Sequence, residues 1–160
     1  MSDKVETTYA FIDGQNLNLG VNNQGWKLDF RKFRLFLRNR FNVTQAYFFI
    51  GYHSNNEWLY ASLREKGYTV VLKPTIVLPD GKVKGNVDAE LVLHSMIEYP
   101  NYNKAIIVSG DGDFHCLAEY LIQKNKLSHL IVPNTTYSQL LKKFSSFIIR
   151  IDQLKGSLER

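Results

Sequence analysis

Four aspartates stand at positions where phosphate chemistry can be done. Asp13 follows the apolar run Tyr9-Ala10-Phe11-Ile12 and precedes Gly14-Gln15-Asn16. Asp111 and Asp113 lie in Ser109-Gly110-Asp111-Gly112-Asp113, directly after the apolar run Ala105-Ile106-Ile107-Val108. Asp88 follows Gly85-Asn86 and opens an amphipathic stretch. Asp88 and Asp113, each taken alone, suit a helix N-cap, with an oxygen on free backbone N–H groups. An acid placed directly after a buried strand is harder to explain as a turn residue only, so Asp13 and Asp111 carry the functional expectation. Two carboxylates roughly 4 Å apart repel by about 4 kcal/mol at an effective dielectric of about 20. Without a cation some of them take up protons or swing apart. A divalent ion removes that repulsion, and an oxygen-only donor set suits Mg²⁺ or Mn²⁺ rather than Zn²⁺, which favours His and Cys. The histidines, His53, His94, His115 and His129, show no metal-ligand spacing, although His115 stands two residues beyond Asp113.

The elements around these acids must position them. Short apolar runs predict strands over 9–12, 46–50, 69–72, 105–108 and 130–132, with a sixth over 147–149. Helical spacing predicts helices over 30–41, 55–66, 87–99 and 114–124, and a short one over 138–144. Gly67 stops the second of these just past its last turn. Asp80-Gly81, between Ile76-Val77-Leu78 and Lys82-Val83-Lys84, predicts a small hairpin or a mobile loop. Strands alternating with helices imply right-handed crossovers and a mainly parallel sheet covered on both faces. The expected fold class is therefore α/β, three layers around a sheet of five or six strands. In such sheets ligands bind beyond the carboxyl ends of the strands, where strand order reverses. The acids follow the first and fourth runs, which should neighbour each other there.

The 160 residues are read as a single domain, with a core over about 8–152 and short polar ends. Residues 153–160 look too polar to pack. Trp26 and Trp58 are read as core or edge packing. No run approaches the roughly 18 apolar residues of a membrane span, and the polar, mixed-charge start does not resemble a signal peptide. The single cysteine, Cys116, cannot form an internal disulfide, which favours a cytoplasmic protein. Thirteen basic and thirteen acidic residues balance over 1–120, whereas 121–160 hold seven basic against two acidic and so carry the whole net charge of +5. That surplus can attract RNA or DNA. Lys124, Lys126, Lys142, Lys143 and Arg150, with Tyr120 and Tyr137, are the expected grip for a single strand. Thirteen per cent aromatics leaves room for an apolar homodimer interface.

Three segments together, Phe11-Ile12-Asp13-Gly14-Gln15-Asn16-Leu17, Lys84-Gly85-Asn86-Val87-Asp88 and Val108-Ser109-Gly110-Asp111-Gly112-Asp113-Phe114, resemble the three motifs of NYN domains, within the PIN-like nuclease superfamily. The resemblance implies a Mg²⁺- or Mn²⁺-dependent ribonuclease that hydrolyses phosphodiesters and leaves a 5′-phosphate. Asp13, Asp88, Asp111 and Asp113 would be its catalytic metal ligands. Asn16 would sit near the metal or its waters, Ser109 would orient ligands or substrate, and Lys84 would meet a phosphate. His115 is grouped with these substrate-binding residues. The chain departs from many relatives at His94, where they carry an acid about six residues beyond the central Asp, and at Asn125-Lys126, where they often carry glycine. The alternative reading is an RNA-binding regulatory module with little or no catalysis. A haloacid-dehalogenase-type phosphohydrolase is disfavoured, because Gln15 stands where that chemistry needs a second Asp.

Overall fold

Residues 6–160 are described by the computed structural model, apart from the side chains of Val83 and Lys84. The chain runs β1 (Thr8–Asp13), α1 (Gly14–Asn22), α2 (Phe30–Phe41), β2 (Val43–Gly51), α3 (Glu57–Glu65) and β3 (Thr69–Lys73). It continues through β4 (Ile76–Val77), β5 (Val83–Lys84), α4 (Asp88–Ile97), β6 (Lys104–Val108), α5 (His115–Gln123), β7 (Leu127–Val132), β8 (Ile148–Arg150) and α6 (Lys155–Leu158).

Six strands form one sheet in the order β3-β2-β1-β6-β7-β8, with every neighbouring pair parallel. The order reverses between β1 and β6, which pair from Thr8↔Lys104 to Ile12↔Val108. Pleating sends alternate residues to opposite faces. Ala10, Ile12, Phe48, Ile106 and Val108 meet Leu17 and Val21 of α1 and Phe33 and Leu37 of α2. Phe11, Phe49, Ile107 and Leu130 meet Leu91 of α4 and Leu117 and Leu121 of α5. The result is the expected three-layer α/β/α fold, wholly parallel in its central sheet. β4 and β5 pair separately as an antiparallel hairpin, turned by Gly81 at φ 83°. The hairpin is thus the outcome of the two alternatives at Asp80-Gly81.

The structure differs from expectation in several places. α1 follows β1 with no loop, although its glycines and asparagines gave it no helical pattern. A Cβ at Gly14 would lie 2.4 Å from the Phe48 ring and 2.9 Å from the Phe49 carbonyl oxygen, so only glycine fits between the two elements. The segment over 138–144 is a kinked 3₁₀ run, Gln139–Phe147, rather than an α-helix. Trp26 is buried, but Trp58 is 69% exposed and packs into no core.

The largest correction concerns the C-terminus. Residues 155–158 form α6, and Leu158 is fully buried against α2 and Leu28. Leu28 and Glu159 form an antiparallel bridge, Asp29 N donates to Leu158 O at 2.8 Å, and Arg160 N donates to Lys27 O at 3.0 Å. This tail therefore closes one face of the sheet. Leu158→Ala is expected to cost about 2–4 kcal/mol in denaturant unfolding; a frayed tail would give no change.

Candidate active site

The sheet brings the ends of β1 and β6 side by side. Asp13 closes β1 and caps α1, its Oδ1 accepting from Asn16 N at 3.3 Å. Its Oδ2 accepts from the Ser109 hydroxyl at 3.1 Å. Ser109, just past β6, also accepts from Asp111 N at 3.0 Å. Asp111 Oδ1 in turn accepts from Asp113 N at 2.9 Å, capping a 3₁₀ turn that feeds α5. Asn16 ties the two loops together, its Oδ1 accepting from Gly110 N at 2.8 Å. The site is therefore a hydrogen-bonded junction of two strand ends.

Asp88 arrives from the other side as the first residue of α4. Its N–H donates to Asn86 Oδ1 at 2.8 Å. Lys73 at the end of β3 anchors this segment by donating to the Asn86 carbonyl and pairing with Glu90 at 3.2 Å. Carboxylate oxygens of Asp13, Asp88 and Asp111 all lie within 4.8 Å of one another. Asp113 is exposed and lies outside that trio, beside the Asp88 carboxyl.

Electrostatics follow from this crowding. Burial raises the Asp13 pKa, opposed by its hydrogen bonds from Asn16 and Ser109 and helped by the charge of Asp111. Asp88 is pushed up to about 6, first by burial and then by the Asp111 charge and contact with Asp113. Protonation is one way to relieve such a cluster, and a bound cation is the other. The donor set fits a hard divalent ion: three carboxylates converge, and neither histidine nor cysteine belongs to the group.

The acids open onto a cleft of about 470 Å³ lined also by Gln15, Asn16, Leu19, Leu78, Lys82 and Asn86. Of these only Asn16 was anticipated. Nothing in the residues around Asp80-Gly81 distinguishes Lys82 from Lys84, because which of the two lines the cleft depends on how the hairpin docks. The backbone of Lys84 pairs with Ile76 in the hairpin, while its side chain lies outside the described residues. His115 is half-buried, and its Nδ1 bonds the Gly112 carbonyl at 3.0 Å, a local turn contact. His94 packs its ring on Phe49 at 5.4 Å and Tyr47 at 6.4 Å and is not part of the converging group.

One further expectation is corrected. The capping acids are Asp13 and Asp111; Asp88 and Asp113, which taken alone suit caps, make no side-chain cap to α4 or α5. Capping and cluster membership are thus compatible, because each carboxylate has two oxygens. Several C-terminal cations also make surface contacts with neighbouring side chains. Lys126 lies over the rings of Tyr99 and Tyr102, Lys143 pairs with Glu119 at 3.7 Å, and Arg150 pairs with Asp152 at 2.6 Å. Lys124 and Lys142 lie over Tyr120 and Tyr137.

A nuclease-like α/β fold with an aspartate cluster at its switch point defines the class. The chain belongs to the NYN domain family, whose sequence model matches residues 7–154. It is 25% identical over 162 aligned residues to the "Low amplitude and bright protein LabA" of Synechococcus elongatus, covering 94% of this chain and 86% of that protein. It superposes with a TM-score of 0.83 and 26% identity on a crystal structure of a protein of unknown function from Vibrio parahaemolyticus, covering 100% of this chain and 99% of the other. No helix among the described residues is long and apolar enough to cross a membrane.

The raised Asp88 pKa predicts a pH dependence for the metal-free protein. Its folded-state value of about 6 exceeds the ordinary 3.8, so the folded state binds more protons between those values. Stability should therefore fall as pH rises through that window. In EDTA, Asp88→Asn should raise Tm at pH 7 and flatten the Tm difference between pH 5 and pH 7. An unchanged or lowered Tm at pH 7 would contradict the crowding.

Proposed function

We propose that this chain is a divalent-metal-dependent nuclease that hydrolyses RNA phosphodiester bonds. The observation that carries the reading is the convergence of Asp13, Asp88 and Asp111 within 4.8 Å, on the cleft side of the switch point. These three residues would hold Mg²⁺ or Mn²⁺, with Asp113 adjoining through Asp88. A divalent ion bound there supplies a more acidic water and screens charge on the scissile phosphate.

The chain's own groups do the positioning. Ser109 and Asn16 hold the Asp13 and Asp111 loops in register through the hydrogen bonds described above. Asp13 is locked on two sides by N–H and O–H donors, which fixes the carboxylate before any ligand arrives. Lys82 lines the same cleft and is placed to meet a phosphate oxygen of the strand. Lys84, in the family's basic position, is proposed for the same duty. The exposed lone thiol of Cys116 supports a cytoplasmic setting, and residues 1–160 are proposed to act as a single domain.

A second reading is favoured by His94. It fills, with a ring packed on aromatics, the position where many relatives carry an acid. In that reading the chain is an RNA-binding regulatory module with weak or no catalysis. Labelled RNA incubated with Mn²⁺ and with EDTA separates the two. The nuclease predicts products only in Mn²⁺, and Asp13→Asn or Asp111→Asn should lower the rate by orders of magnitude. Binding in EDTA without products in Mn²⁺ would favour the module. Lys82→Ala should raise KM several-fold while changing kcat less, as expected for a group that binds substrate and transition state alike. An unchanged KM would remove Lys82 from the substrate path.

A further inference from the structure

Of the three converging acids, Asp88 alone comes from outside the β1–β6 junction. Asp13 is pinned by Asn16 N and the Ser109 hydroxyl, and Asp111 sits in the loop that Ser109 and Asn16 tie to β1. Asp88 opens α4, which has no side-chain cap, and the charges of Asp111 and Asp13 both press on its carboxylate. The start of α4 must therefore be held against that repulsion, and its contacts to the sheet converge on one side chain.

Lys73 ends β3, where it pairs in register with Gly51 of β2. Its ammonium donates to the Asn86 carbonyl oxygen and lies 3.2 Å from Glu90 Oε1. Asn86 and Glu90 flank Asp88, two residues to either side, and Asn86 Oδ1 takes the Asp88 N–H at 2.8 Å. One cation thus spans the start of α4 across the acid. The side chains of Lys73 and Glu90 are only 26% and 28% exposed, so salt screens this pair less than a surface one. Among the described residues, Glu90 Oε2 is buried with no hydrogen-bond partner, and Lys73 is the cation that offsets the Glu90 charge. A partly buried carboxylate stripped of its cation is costly to keep in place. The root of Lys73 is fixed in turn. Tyr52 N donates to Lys73 O at 2.8 Å, and the Thr75 hydroxyl donates to Tyr52 O at 2.8 Å.

We infer that Lys73 is a positioning residue of the metal centre, holding Asp88 where the ion needs it by gripping Asn86 and Glu90. This rests on the metal site of the proposed nuclease. The charges that act on Asp88 are those of Asp111 and Asp13, so Lys73 works on it through location rather than by direct attraction. The same residue stands three positions before β4 and so ties the root of the hairpin to the start of α4. Two walls of the cleft, one bearing Asp88 and the other Lys82, are joined by this one side chain.

Isothermal titration of the full chain with Mn²⁺ tests this, with thermal melts to establish that each variant folds. Lys73→Met keeps the aliphatic stem and removes the ammonium. It should weaken Mn²⁺ binding roughly 10–100-fold, the usual effect of losing a group that orients a metal ligand. Lys73→Arg, whose fork has donors for both partners, should recover most of the affinity. Glu90→Gln leaves the Asn86 contact in place and should weaken binding by a smaller factor. Leu158→Ala, in the C-terminal tail, is the comparison for stability alone: it should lower Tm and leave Mn²⁺ affinity at the wild-type value. Wild-type Mn²⁺ affinity in both Lys73→Met and Glu90→Gln, whatever their Tm, would overturn the inference. An arginine variant as weak as the methionine variant would do the same. Cleavage of RNA in Mn²⁺ reports on the other reading separately. Mn²⁺ affinity that depends on Lys73 in a chain without cleavage keeps the inference and sinks turnover. Cleavage that Asp111→Asn abolishes, with Mn²⁺ affinity indifferent to Lys73, sinks the inference and keeps the nuclease.

Discussion

Repulsion among three carboxylates is the constraint on which the rest of this site depends. Asp13, Asp88 and Asp111 stand within 4.8 Å of one another, with Asp13 almost wholly buried. At that separation each pair opposes folding by several kcal/mol at moderate dielectric, whereas an ordinary hydrogen bond returns only about 1 kcal/mol net. The Ser109 and Asn16 contacts orient the acids but cannot by themselves hold them together. The two-faced core beneath does that, by fixing β1 against β6 and α4 against the same sheet. A protein that places like charges so closely violates a local rule of stability, and such violations are expected at functional sites.

The distribution of cations follows a related logic. The sequence is basic, with a pI of about 9.3. Yet the C-terminal cations lie over aromatic rings or beside acids rather than around the cleft. Lys126 has its pKa lowered by burial and sits 3.8 Å from the centre of the Tyr99 ring. These residues add to the long-range field of the protein, while the hairpin brings Lys82 into the lining of the cleft. The hairpin is also where Ile76 and Val77 are left exposed, at 61% and 70%.

Much of this was legible in the residues. The strand runs, the hairpin turn at Asp80-Gly81 and the helix stops at Gly67 and Asn125 follow from local rules, and both stops adopt the left-handed backbone expected of them. The place of Asp13 and Asp111 beyond adjacent strands followed from the switch-point rule. α1 was illegible because Gly14, Asn16, Asn18, Gly20 and Asn22 are poor helix formers; burial of Leu17 and Val21 overrides them. The tail was misread because Leu154 and Leu158, one helical turn apart, are too few to register as a pattern.

Sequence alone determined the chemistry available: oxygen donors without histidine or cysteine partners, on glycine-flanked turns after apolar strands, in the order of the NYN motifs. It could do so because residue type and strand periodicity are local properties. Only the tertiary structure decided that Asp88 joins Asp13 and Asp111 while Asp113 stands beside them. It also decided that Lys82 lines the cleft with the acids, and that a second cavity adjoins it. Those outcomes depend on how α4 and the hairpin dock against the sheet, and docking is set by long-range packing that no stretch of neighbouring residues encodes.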